Sequence, residues 1–258
     1  MDSMNSHILG ILGGLGPMSG IRFCEMLTDH TLAATDQEHI NFLLSSRADT
    51  PDRTAFILGK SKENPSPVMQ TEVKRLIAAG ADRIVIPCNT AHYFYREIAK
   101  VSSVPVLNII DRTADFCAFC GMRRIGVLAT EGTAASGAYR SILESRGMEY
   151  LSPTKEEQAT VTHIIYGEIK SGMPPHIDRL LAVADSLFAK GADTVILGCT
   201  ELSLLKPMLP TDRSFTDSLE VLAACAIRSC GRETVGFDPS LTRFAATLSH
   251  KIEIHSMM

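Results

Sequence analysis

What this 258-residue chain lacks narrows its possible roles early. No uninterrupted apolar stretch reaches the roughly 18 residues of a membrane span, so no membrane association is expected. No cluster of lysines and arginines is present, and the formal net charge is -4. Without a basic face there is no electrostatic footprint for DNA, RNA or an anionic bilayer, so nucleic acid is not an expected partner. Residues 1–6 are polar and lead straight into a short apolar run ending in glycines. They lack the basic start and cleavage region of a secretory leader, and a cytoplasmic location is expected. Nor is there a complete dinucleotide fingerprint: Gly10, Gly13, Gly14 and Gly16 have the wrong spacing and Pro17 follows them. Close approach of the backbone to a substrate explains that run better.

The seven cysteines are an odd number, spread mostly through expected strands and helices, which argues against a secreted disulfide framework. Cys117 and Cys120 form a C-x-x-C pair. No second Cys or His pair at zinc spacing accompanies it, so packing on one face of a helix is expected and no metal is implied.

With 45% hydrophobic and 21% charged residues, the chain can bury a sizeable core. Short β-type runs at 7–12, 41–45, 83–87, 104–109, 124–128 and 194–197 alternate with helical patterns, notably 66–79 and 177–190. Such alternation predicts α/β architecture with parallel sheets flanked by helices. Each of those two helices ends near a glycine able to cap it.

The most informative feature is an internal repeat: AAGADRIVIPCNTAH at 78–92 and AKGADTVILGCTELS at 189–203. Each runs from a helix end through Gly-Ala-Asp and a strand to a cysteine, and Gly80 to Cys88 is the same step as Gly191 to Cys199. HILGILGG at 7–14 and RRIGVLAT at 123–130 echo each other in the same way. Two pseudo-symmetric domains follow, residues 1–113 and 114–213. The apolar helix at 218–229 is expected to return to the first, adding about 214–230 to it. Residues 231–258 form a tail with no counterpart and no role assigned from sequence.

Ligands bind beyond the carboxyl ends of strands in an open parallel sheet, and Cys88 and Cys199 each stand just after a strand. Pseudo-symmetry would bring both to one interdomain cleft. A following helix start would favour thiolate and hold an anion such as a carboxylate. Asn89, Thr90, Thr200 and Glu201 add capping and hydrogen-bonding groups at these turns. An isolated free cysteine is usually a small buried hydrophobe, but two at matching repeat positions argue for chemistry. His92, four residues after Cys88, could tune that thiol or serve packing and capping.

Five blocks in order resemble the aspartate/glutamate racemase family, with aspartate racemase the most similar member. They are ILGGLGP at 11–17, PDRTAFILG at 51–59, PCNTAH at 87–92, GVLATEGT at 126–133 and GCTEL at 198–202. The resemblance runs from about residue 7 to residue 229. That superfamily includes glutamate and hydantoin racemases, maleate isomerases and arylmalonate decarboxylases. The resemblance implies a racemase without pyridoxal phosphate or other cofactor, acting on aspartate and next on glutamate. Cys88 and Cys199 would be the acid and base on opposite faces of the α-carbon. It implies substrate-binding residues at Asp52, Arg53, Thr54, Asn89, Thr90, Ala91, Thr130, Thr133, Lys170, Thr200 and Glu201. Arg53 is the first choice for the second carboxylate, because guanidinium pairs with carboxylate bidentately. Lys170 would reach in from the other domain. Leu15 stands where many relatives have methionine, which could alter pocket shape. A homodimer is implied. The alternatives are another superfamily reaction on a small diacid, an isomerase or a decarboxylase, and a non-catalytic amino-acid-binding sensor. Retention of both cysteines weighs against a one-cysteine decarboxylase.

Overall fold

A computed structural model describes residues 7–248 of the chain. Two four-stranded parallel sheets form its frame, each covered by helices. The first contains β1 (Ile8–Gly13), β2 (Asn41–Ser46), β3 (Arg83–Val85) and β4 (Val106–Leu107) in the order β2-β1-β3-β4. The second contains β5 (Arg124–Leu128), β6 (Glu149–Leu151), β7 (Thr194–Leu197) and β8 (Phe215–Asp217) in the order β6-β5-β7-β8. The two orders are the same pattern repeated, as the internal repeat predicts.

Each strand run read from the sequence is present, with β3 and β4 shorter than expected. The sequence reading missed β6 and β8, which are edge strands of three residues each. Segments that short present too little alternation to be told from loop.

The central strands are nearly continuous apolar runs because helices cover both faces of a parallel sheet. Helices Ser66–Ala78 and Ile177–Ala189 lie on matching faces. Gly80 and Gly191 follow them with φ of 104° and 87°, the left-handed conformation that lets each chain turn back into its strand.

Helix Ile109–Phe119 follows β4 and helix Ser218–Ser229 follows β8, and the two pack against each other. The first also packs on helix Ala138–Ser145 of the second half, and the second on helix Pro17–Asp29 of the first half. Each half therefore lends a helix to the other. The largest apolar core is continuous across both, including Phe23, Leu27, Ile109, Ala114, Val127, Tyr139, Leu222 and Ile227. Full burial of aliphatic side chains of this size contributes roughly 1.5–3 kcal/mol each, so the shared core ties the halves firmly. The return to the first half begins at Ser218 rather than about 214, because β8 is hydrogen-bonded to β7 in the second sheet.

Within the tail, helix Pro239–Thr247 buries Leu241, Phe244 and Ala245 against the helices at 109–119 and 218–229. Phe244 makes an edge contact with Phe116 and a tilted one with Phe119. Residues 249–258 of the predicted tail lie outside the described residues.

Candidate active site

The carboxyl ends of β3 and β7 face one cavity between the halves that opens to solvent through a mouth. Its wall is Leu15, Arg53, Thr54, Cys88, Asn89, Thr90, Thr130, Tyr166, Lys170, Cys199, Thr200 and Glu201. The topology thus brings both repeat cysteines to a single space. Both are buried and unpaired. Each is followed by a short 3₁₀ turn, Thr90–Phe94 after Cys88 and Leu202–Met208 after Cys199, where the sequence reading expected an ordinary helix start.

The two turns cross over between the halves. Asn89 Nδ2 donates to Ser218 Oγ at 3.0 Å, and Asn89 Oδ1 accepts from the Tyr139 hydroxyl at 2.7 Å. Thr200 Oγ1 donates back to the Pro87 carbonyl at 3.2 Å. The hydroxyls of Thr90, Thr130 and Thr133 form a closed ring with separations of 2.9, 2.9 and 3.0 Å. Thr130 also caps helix Glu131–Ser136 through the Thr133 N–H.

Cys88 Sγ lies 3.5 Å from the Leu15 carbonyl oxygen. Arg53 Nη2 donates to that oxygen at 2.6 Å, and its Nη1 donates to the carbonyls of Thr50 and Pro51. The buried guanidinium therefore fixes the glycine-rich turn over the cavity. Its Nε has no partner among the described residues.

Cys199 Sγ donates to Glu201 Oε2 at 3.0 Å, and Lys170 Nζ stands 2.9 Å from Glu201 Oε1. Burial and the adjacent Glu201 carboxylate push the Cys199 thiol well above its usual value, with Lys170 opposing. The expectation that the turn alone would favour thiolate fails here. Desolvation and a like charge outweigh what a short 3₁₀ turn provides. Burial also works against a charged Lys170, yet the adjacent Glu201 carboxylate opposes it, and the ammonium is held above its ordinary range.

Lys170 ends a π-helical turn, Ile164–Ile169, and its N–H bonds to the Ile165 carbonyl at 3.0 Å. Turns of this kind are uncommon and concentrate at functional sites. Buried Glu168 anchors the turn by accepting from the His176 backbone N–H at 2.8 Å, with the His176 ring 2.6 Å away. Tyr166 lies beneath the ammonium, its ring centroid 5.3 Å from Nζ. Burial pushes its phenol up to about 12.

Three residues named from the sequence do not line the cavity. Asp52 caps helix Arg53–Ile57 by accepting from the Ala55 N–H at 2.6 Å, and Tyr166 reaches its other oxygen at 3.5 Å. Ala91 is fully buried in the first-half core behind Cys88. Thr133 stands behind Thr90 in the hydroxyl ring. His92 takes the packing and capping role: Nε2 accepts from the Ile109 N–H at 3.2 Å, leaving Nδ1 to donate to the Cys88 carbonyl at 2.9 Å. Burial lowers its pKa, so it stays neutral.

The glycines at 14 and 16 admit close approach, but to the protein itself. A Cβ on Gly14 would fall 2.3 Å from the Arg47 backbone nitrogen, and one on Gly16 would fall 2.1 Å from Glu201 Oε1. Among the described residues no group of His, Cys, Asp and Glu is arranged to hold a metal ion. Cys117 packs in the shared core, and Cys120 lies partly buried at its edge. No helix among the described residues is long and apolar enough to cross a membrane.

The family model described as Asp/Glu/Hydantoin racemase matches residues 12–226. The chain belongs to that family. It is 28% identical over 231 residues to the broad specificity amino-acid racemase RacX of Bacillus subtilis (strain 168), covering 85% of this chain and 96% of the relative. Among solved structures, Picrophilus torridus aspartate racemase superposes with a TM-score of 0.78 at 29% identity, covering 93% of this chain and 99% of that one. Francisella tularensis glutamate racemase, solved in complex with D-glutamate, shares the fold with a TM-score of 0.62 at 19% identity, covering 98% and 100%. The protein is accordingly an amino-acid racemase with the two-domain α/β fold of its neighbours.

In this racemase the cavity residue that sequence reasoning missed is Tyr166. It precedes Lys170 by one helical turn, so its position on the same face was available from spacing. Nothing in an isolated tyrosine marked it as part of a site. The supporting Glu168 and His176 are legible only once the π-turn is known.

Proposed function

We propose that this racemase interconverts L- and D-aspartate, with glutamate as the next substrate, by proton transfer between Cys88 and Cys199 without a cofactor. The observation that carries the reading is that two thiols from matching strand ends line one cavity together with a lysine and an arginine. An α-hydrogen is barely acidic, and inversion requires removing it from one face and supplying a proton to the other. One cysteine as thiolate takes it, the other as thiol donates, and the roles exchange for the other enantiomer. Backbone N–H groups at the Asn89-Thr90 and Thr200 turns stabilise the carbanion-like state through the α-carboxylate. Lys170 and the free Arg53 Nε attract the second carboxylate. Asp52, Ala91 and Thr133 support these groups from behind.

Aspartate is ranked first because the Picrophilus neighbour is an aspartate racemase that covers nearly the whole chain. The broad specificity of the Bacillus relative supports a second reading, a wider set of amino-acid substrates. We further propose a cytoplasmic homodimer; the unpaired state of the cysteines agrees with a reducing compartment, and sedimentation velocity would test the assembly.

The decisive experiment is proton NMR of L-aspartate, L-glutamate and L-alanine in heavy water with no cofactor added, alongside chiral analysis. Loss of the α-proton signal with appearance of the D-isomer is expected for aspartate. Cys88→Ala and Cys199→Ala should each reduce it by about 10²–10⁴-fold. Exchange that survives both substitutions would sink the cysteine mechanism. Absence of exchange on every amino acid would favour a different diacid reaction or a binding role.

A further inference from the structure

We propose that Glu201 is a positioning residue that keeps Cys199 protonated, so that Cys199 enters turnover as the acid. The inference rests on the two-cysteine reading above and adds to it which thiol carries the proton.

The repeat makes the comparison direct. Two residues after its cysteine, the first turn has Thr90 and the second has Glu201. The Thr90 hydroxyl is held in the neutral ring with Thr130 and Thr133. The Glu201 carboxylate instead faces Cys199 Sγ at 3.0 Å. Only a thiol can donate across that contact. A thiolate there would meet a carboxylate oxygen with no hydrogen between them. Cys88 Sγ donates at the longer distance of 3.5 Å to the Leu15 carbonyl, which also accepts from the Arg53 guanidinium, so no carboxylate faces it there.

Glu201 is held in place from two further sides. Its Oε1 lies against Gly16, whose φ of 148° and missing Cβ leave room for the oxygen, and against the Lys170 ammonium at 2.9 Å. That fixes Oε2 toward Cys199. The charged and titratable groups around this pair are Lys170 and Tyr166 from the π-turn and Cys88 and Arg53 from the first half, with Asp52 beyond Tyr166. Of these, Lys170 opposes the carboxylate most directly, but its ammonium is engaged with Glu201 itself. Burial acts in the same direction as Glu201 on the Cys199 thiol.

In turnover, the Cys88 thiolate takes the α-proton and becomes a thiol. Cys199 gives its proton to the opposite face and becomes a thiolate beside Glu201. After product leaves, a proton passes from Cys88 to solvent and one returns from solvent to Cys199, which restores the starting form. Because enantiomers have equal free energy, kcat/KM must be equal in the two directions whatever the proton arrangement. The asymmetry is therefore read on the thiols themselves.

The test follows the rate of iodoacetamide alkylation of each cysteine against pH, without substrate, with the two sites quantified separately by mass spectrometry of peptides. The midpoint of each profile reports the thiol, independent of how easily the reagent enters. In the wild type the Cys199 midpoint should lie about one pH unit or more above that of Cys88. Glu201→Gln should lower the Cys199 midpoint by about one unit or more and leave Cys88 nearly unmoved, and Glu201→Asp should restore the high value. A merely structural role for Glu201 would not lower one midpoint selectively. Equal midpoints in the wild type, or a Cys199 midpoint unmoved by Glu201→Gln, would overturn the proposal. If the Gln variant fails to fold by circular dichroism, the wild-type comparison alone decides. Should α-proton exchange fail while the midpoints behave as expected, the racemisation reading falls and the thiol asymmetry stands.

Discussion

After β3 the chain runs Pro87-Cys88-Asn89-Thr90, and after β7 it runs Gly198-Cys199-Thr200-Glu201, at equivalent places in two sheets of the same strand order. Both turns put a buried thiol on the same cavity. Beyond that they diverge. The first is a neutral network anchored across the molecule through Asn89, Tyr139 and Ser218, whereas the second holds a carboxylate and an ammonium. Pseudo-symmetry accounts for where two acid/base groups stand. The departures from it account for how they differ, as a reaction that needs one proton donor and one acceptor at a time requires.

The largest expected effect from breaking this comparison lies in how the turns are anchored. Asn89→Ala removes a partner from both the Tyr139 hydroxyl and Ser218 Oγ in the buried seam beside the cavity. Ser218 Oγ keeps its bond to the Leu197 carbonyl at 2.8 Å, but the loss of both Asn89 bonds and of the Tyr139 acceptor should cost about 3 kcal/mol of folding stability. Thr200→Val removes one 3.2 Å bond to the Pro87 carbonyl and keeps the shape, and should cost about 1 kcal/mol. Urea unfolding of the two variants measures the difference, and equal losses would show that the two turns are anchored alike.

The repeat, the parallel α/β architecture and the two cysteines were legible because each is written in local sequence. Gly80 and Gly191 mark helix ends, apolar runs mark central strands, and matched spacing marks the thiols. What was not legible depends on distant parts of the chain meeting. The exchange of helices Ile109–Phe119 and Ser218–Ser229 between halves places a proposed domain boundary inside a helix, where no composition change marks it. Glu201 reads as one more polar residue at a turn until Lys170 and Gly16 converge on it from elsewhere. Thr133 and Ala91 were drawn to the site by their motifs, yet they stand one layer behind it. Edge strands β6 and β8 carry too few residues to announce themselves.

The next effect concerns the caps of the exchanged helices. Asn108 after β4 accepts from the Ile110 and Asp111 N–H groups, and Asp217 at the end of β8 accepts from the Leu219 N–H and from Ser203 Oγ. Burial, reinforced by nearby Glu220, pushes the Asp217 carboxyl up to about 6 despite Lys206. A carboxyl whose pKa is higher folded than unfolded binds more protons when folded. Its contribution is fully present below the unfolded value near about 4 and is lost as pH rises to about 6. Asp217→Asn keeps a capping oxygen, makes the second half resemble the first and cannot titrate. Stability measured from pH 4 to pH 6 should then lose a downward slope amounting to about 2 kcal/mol. An unchanged slope would assign that pH dependence to other groups.

The smallest difference sharpens the comparison of the sheets themselves. Gly10 in β1 and Gly126 in β5 occupy matching positions under the helices at 66–78 and 177–189. A Cβ on Gly126 would meet Leu187 and Val195 side-chain atoms at 3.1 Å, contacts that a few tenths of an ångström of adjustment relieve. On Gly10 it would fall 2.6 Å from Ile84 Cδ1, which can rotate, and 2.9 Å from Ala81 Cβ, which moves only with its backbone. Overpacking should therefore cost Gly10→Ala about 2 kcal/mol and Gly126→Ala about 1 kcal/mol. Thermal unfolding of the two single variants would resolve that order. The reverse order would mean that the first half yields more readily than the second, and that its helix at 66–78 can lift from the sheet without disturbing the turn that carries Cys88.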